Sequence, residues 1–139
     1  MRRTAPFLLL LPLLFLAINA GCGGTKASPV DGHVKFKDGS DVSVLVNYEV
    51  SFAPADGKTS AVGHILADGS FQLSTYSDGD GALPGQHRIA ISPPLSPDPD
   101  KPPQKSKLSK KYADGSTSGL TAEIKPGRNT VNLDLERLP

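Results

Sequence analysis

Cys22 is the chain's only cysteine, so it has no partner for an intrachain disulfide and its thiol is left for other chemistry. It closes the run Ile18-Asn19-Ala20-Gly21-Cys22, directly behind a short apolar stretch. A sulfur in that position suits lipid attachment once the preceding segment has been cleaved away. Other groups with reactive potential are few. Asp78 and Asp80 alternate with Gly79 and Gly81 and offer hard oxygen donors to a cation such as Ca²⁺. An EF-hand loop starting at Asp78 would need glycine at its sixth position and glutamate at its twelfth; Leu83 and Ile89 stand there, which excludes it. The pair reads first as a turn, with Gly79, Gly81 and Gly85 permitting tight backbone paths, and second as a looser Ca²⁺ site.

His33, His64 and His87 share no ligand spacing such as His-x₃-His, and no thiolate is free to join them, so a zinc site is not expected. His33 sits on the polar side of its segment; His87 has the parity of Ile89 and is expected to cap the core at a strand entrance. No Gly-x-Ser-x-Gly nucleophile elbow is present. Neither a catalytic site nor a cofactor is expected. Lys105, Lys107, Lys110 and Lys111 form the last candidate, a cluster that would meet anionic lipid head groups or an acidic wall polymer. Near a charged bilayer each lysine contributes about 1 kcal/mol at most, and Asp98 and Asp100 partly offset them.

The segment before Cys22 has three parts. Arg2 and Arg3 are a positive start, residues 6–18 are apolar and leucine-rich, and Ala20 and Gly21 are small residues at the cleavage position. The apolar run is shorter than the roughly 20 residues that a membrane-spanning helix needs, and Pro12 interrupts it. Residues 1–21 therefore read as a signal peptide. The stretch resembles the lipobox of bacterial lipoproteins: Ala20, Gly21 and Cys22 match, and Asn19 stands where leucine is usual. That resemblance implies cleavage before Cys22 and a lipid on its sulfur; the other reading is ordinary signal cleavage near Ala20, which leaves a free thiol. Localisation would be extracytoplasmic and membrane-anchored, on the periplasmic face or the outer surface.

Removing the two leader arginines from 15 Lys plus Arg leaves 13 basic residues against 14 acidic ones, a formal net charge of −1. That balance gives no basic surplus for nucleic acid. The remaining length suits one domain, which without disulfides must be stabilised by its own core. Residues 22–29 are small and polar and read as a flexible tether reaching at most about 26–29 Å.

Alternating apolar and polar residues then recur at short spacing. Val30, Val34 and Phe36 share one parity. Val42, Val44, Val46, Tyr48, Val50 and Phe52 predict one strand over 42–52. Residues 61–66, 71–75, 88–91, 120–125 and 131–136 complete seven strands, and no segment carries helical spacing. Asp68-Gly69 predicts a hairpin between Ile65 and Phe71, and Pro126-Gly127 a turn between the last two strands. One apolar face per strand calls for two sheets packed face to face. The domain is expected over 30–139. A Pro/Lys-rich connection at 93–111 interrupts it as an extended, flexible excursion, because proline cannot donate to a ladder.

Four blocks resemble small bacterial lipoproteins with a carboxypeptidase-regulatory-like, transthyretin-like domain. They are Pro29-Val30-Asp31-Gly32-His33-Val34, the stretch 67–75 around Asp68-Gly69-Ser70-Phe71, the stretch 79–87 from Gly79 to His87, and Lys111-Tyr112 with Thr117-Ser118-Gly119-Leu120. The resemblance covers most of the chain after Cys22 and departs at Ser40-Asp41-Val42. It implies an all-β, seven-stranded antiparallel sandwich on a lipid anchor and no known catalytic activity. The expected function is a non-catalytic binding or structural module of the cell envelope, with an envelope protein or glycan as partner. A carbohydrate- or wall-binding module using Tyr76 and Tyr112 is the alternative, and an enzyme with an unrecognised metal-assisted site is the third reading.

Overall fold

The period-two alternation is realised in β1 (Val30–Phe36), where Val30, Gly32, Val34 and Phe36 face inward while His33 and Lys35 are exposed. The computed structural model describes residues 25–102 and 105–139. It adds β2 (Glu49–Pro54), β3 (Ala61–His64), β4 (Ser70–Gln72), β5 (Gly85–Ser92), β6 (Thr121–Ile124) and β7 (Asn129–Leu135). The strands form two sheets, one ordered β4-β1-β7 and the other β3-β2-β5-β6. Their inner faces meet in a single core that includes Val34 and Phe36 from β1, Val50 and Phe52 from β2, Ile89 and Ile91 from β5, and Leu133 and Leu135 from β7. Each fully buried side chain of this size stabilises the fold by about 1.5–3 kcal/mol relative to exposure. The fold is thus all-β with seven strands. The two helical pieces among the described residues are single 3₁₀ turns at Val42–Leu45 and Lys110–Ala113. Among the described residues no helix is long and apolar enough to cross a membrane.

Phe71 lies directly across from Gly32 in the β1–β4 register. A Cβ on Gly32 would fall 2.1 Å from the Phe71 ring, so the ring fills the place of the missing side chain.

Four details differ from the sequence-based expectation. First, the strand over 42–52 begins only at Glu49. Asp41 caps a 3₁₀ turn by accepting the Ser43 N–H at 2.9 Å, and Asn47 takes a positive φ of 64°. Inside that turn the parity inverts, burying Leu45 and exposing Val44. Second, β1 and β7 run parallel, from Val30 opposite Asn129 to Phe36 opposite Leu135. The Pro126-Gly127 turn crosses between sheets instead of closing a hairpin within one, so β7 starts beside the start of β1 and must follow its direction. The other strand pairs are antiparallel.

Third, Asp68-Gly69 does turn the chain, with Leu66 N–H donating to Ser70 O at 2.8 Å, and Val62 and Ser74 pair further along. The arms between them part, β3 joining one sheet and β4 the other. Fourth, the connection at 93–111 is not extended throughout. Leu108 is buried in the core, and the 3₁₀ turn that starts at Lys110 closes the segment.

Candidate functional site

The strand registers sort the loops onto two ends. β1 and β7 start at the end where β2 finishes and β5 begins. The approach to β1, the 74–84 loop and the Pro126-Gly127 turn gather there, around a hollow lined by Thr25, Ala27, Pro29, Pro84 and Pro126. The opposite end holds the 3₁₀ turn at Val42–Leu45, the 93–120 connection and residues 136–139.

The first end grips the segment that leads into β1. Ser28 N–H donates to Ala82 O at 2.8 Å and Ala82 N–H donates back to Ser28 O at 3.0 Å. Pro29 O accepts the Asn129 N–H at 2.8 Å. Ser28 is buried, which corrects the expectation of a flexible segment through residue 29: the tether's last residues belong to the fold. Gly81 makes the crossing possible. Its φ is +96°, and a Cβ would sit 1.7 Å from Ser28 O.

Asp80 shapes the same loop. One carboxylate oxygen accepts the Thr75 N–H at 2.6 Å, and the other accepts those of Tyr76 and Ser77 at 3.0 and 3.1 Å. Burial pushes the Asp80 carboxyl upward, but these three amides outweigh it and hold it below the usual carboxylate range. The oxygens proposed for Ca²⁺ are therefore engaged by backbone, and Asp78 is exposed beside them. Among the described residues no three His, Cys, Asp or Glu side chains come together as metal ligands.

His87 supports the loop from within. It is 1% exposed, its ring lies 6.0 Å from that of Phe52, and its Nε2 is 2.7 Å from Leu83 O. A carbonyl can only accept, so Nε2 carries the proton, and buried Nδ1 has no partner among the described residues. His33 and His64 are exposed on strands of different sheets.

The far end is held by side chains. Tyr48 and Tyr112, both 2% exposed, use their hydroxyls to accept the N–H of Lys107 and of Glu136, each at 3.0 Å. Leu138 N–H donates to Lys107 O at 3.1 Å, and Leu108 bridges to Arg137. Ser118 donates its hydroxyl to Ile89 O at 2.6 Å. The candidate lysines therefore differ in state. Lys111 pairs with Glu136 at 2.6 Å, beside Lys37 at 2.9 Å. These two contacts, Lys111 first, pull Glu136 down to about 2. Lys105, Lys107 and Lys110 are exposed. Tyr112, expected as a surface aromatic, lies in the core, while Tyr76 is 65% exposed.

Cys22, Ala20 and Gly21, with the whole 1–21 leader, lie outside the described residues. The Ser28–Ala82 clasp and the two tyrosine staples were not anticipated from sequence; the glycine spacing of 79–85 was the available signal for the first.

No family model and no curated protein matches this chain. Among solved structures it is similar to a DUF3823 family protein from Parabacteroides merdae, with 15% sequence identity, a TM-score of 0.45, and coverage of 84% of this chain and 48% of that one. The chain thus spans about half the length of that protein.

Proposed function

We propose that this protein is a lipoprotein of an extracytoplasmic compartment, held to a membrane by a lipid on Cys22. Its carboxypeptidase-regulatory-like (transthyretin-like) sandwich is a non-catalytic binding or structural module of the cell envelope. The observation that supports this reading is one of continuity. Cys22 follows a three-part leader, and six residues later Ser28 is locked into the domain by Ala82. A chain of that length spans at most about 22 Å, so the anchor and the folded domain are closely coupled.

Mass spectrometry of the mature N-terminus tests the reading, with an acylated Cys22 as its first residue expected. Cys22→Ser should shift the product from the membrane to the soluble fraction. A bare thiol on a mature product would overturn the proposal. A pull-down from the envelope fraction then identifies the partner. The glycan-binding alternative loses Tyr112 to the core and keeps Tyr76; a glycan array separates it from protein docking.

A further inference from the structure

Tyr76 is the largest exposed side chain at the tether end and belongs to no described packing cluster. It lines the same hollow as Thr25, Lys26 and Ala27, the residues through which the chain arrives from Cys22. Pro29 and Pro126 are exposed around the neighbouring hollow, and Pro84 is half-buried there. Lys26 and Lys125 are exposed, and against them stand exposed Asp78 and the Asp80 carboxylate, which lines the Tyr76 hollow. Arg128 is neutralised by Asp31 at 2.7 Å. The face is therefore mildly apolar, ringed by prolines, close to neutral, and centred on one aromatic with a polar tip. Tyrosine of this kind is favoured where hydrocarbon meets head groups.

From this we infer that the tether end is a membrane seat: the domain stands on the bilayer with Tyr76 at head-group level, and the end bearing Lys105, Lys107 and Lys110 points away from that bilayer. The inference rests on the proposal that Cys22 is the anchor. Three residue steps separate Cys22 from Thr25, about 11 Å at full extension, so this end cannot stray from the surface. The far end lies a seven-residue strand away, about 23 Å at 3.3 Å per residue. A near-neutral seat also predicts docking on zwitterionic lipid with little dependence on salt. The anionic contact of the lysines, if made, is then with something in front of the membrane.

The chain contains no tryptophan, so one introduced indole reports alone. Tyr76→Trp and, at the far end, Leu138→Trp are made in the full chain, and the lipidated products are reconstituted in phosphatidylcholine vesicles with or without brominated acyl chains. At Tyr76→Trp, the emission should shift to the blue and fall at least twofold in brominated lipid. At Leu138→Trp both spectra should coincide. Equal quenching at the two sites, none at position 76, or quenching at position 138 that appears with anionic lipid would each overturn the seat. If mass spectrometry instead finds Cys22 bare, the chain's sole thiol is coupled to a maleimide lipid and the comparison repeated. Quenching confined to position 76 then keeps the seat while the lipoprotein reading falls.

Discussion

The two ends of the sandwich are secured by different means. At the end where β1 begins the clasp is backbone on backbone: Ser28 exchanges two hydrogen bonds with Ala82, over a glycine that leaves no room for a Cβ. At the far end the backbone contact of Leu138 N–H with Lys107 O is joined by side chains, the Tyr48 and Tyr112 hydroxyls holding the N–H groups of Lys107 and Glu136. The first arrangement depends on what is absent from position 81. The second depends on two large rings that also fill the core. Damage to each end should therefore differ in size and in reach.

The largest effect is expected from Tyr112→Ala. Truncating a fully buried aromatic costs about 3–5 kcal/mol, and urea unfolding should show that loss. Amide exchange should quicken at Glu136 and leave Ser28 protected. Gly81→Ala should come next, at roughly 2–3 kcal/mol, because a positive φ and a clash with Ser28 O must both be relieved. Exchange should then quicken at Ser28 and Ala82 with Glu136 still protected, and a uniform loss of protection in both variants would erase the distinction between the ends. Tyr48→Phe keeps the ring and removes one acceptor, so about 1 kcal/mol is expected in the same unfolding assay.

The smallest effect concerns Glu136. Its pKa is held at about 2 against an ordinary 4.5, so its ion pairs stabilise the fold fully above about 4.5 and are lost as pH falls through about 2. An NMR titration should place the Glu136 midpoint near 2, and Lys111→Met should move it back up. A midpoint unchanged by that substitution would remove Lys111 from the far-end network.

Much of this fold was legible because alternation reports burial directly. Val34 and Phe36, Ile89 and Ile91, and Leu133 and Leu135 face the core as their spacing required. Alternation failed at Val42-Ser43-Val44-Leu45, where an Asp41 cap costs nothing in hydrophobic pattern and replaces a strand by a 3₁₀ turn. The clasp was invisible for a related reason. Ser28 binds through its main chain, and a small polar residue in a Gly- and Pro-rich context carries no sign of a backbone pair. Tyr112 follows a lysine pair and precedes Ala113-Asp114-Gly115, so no periodicity marked it as interior. The blocks that carry the sequence resemblance turn out to hold structural parts. Gly81, Ala82 and His87 build the clasp loop, while Tyr112 and Ser118 pin the connection.

The parallel pairing of β1 with β7 bears on how the molecule would carry load. A pull on residue 25 draws β1 toward one end, while a pull on residues beyond Leu135 draws β7 toward the other. The seven paired positions from Val30 to Phe36 would slide against one another together, so their bonds resist as a group and not one after another. An anchor at one end and a grip at the other would thus stress the sandwich in shear, the direction in which a ladder is hardest to break.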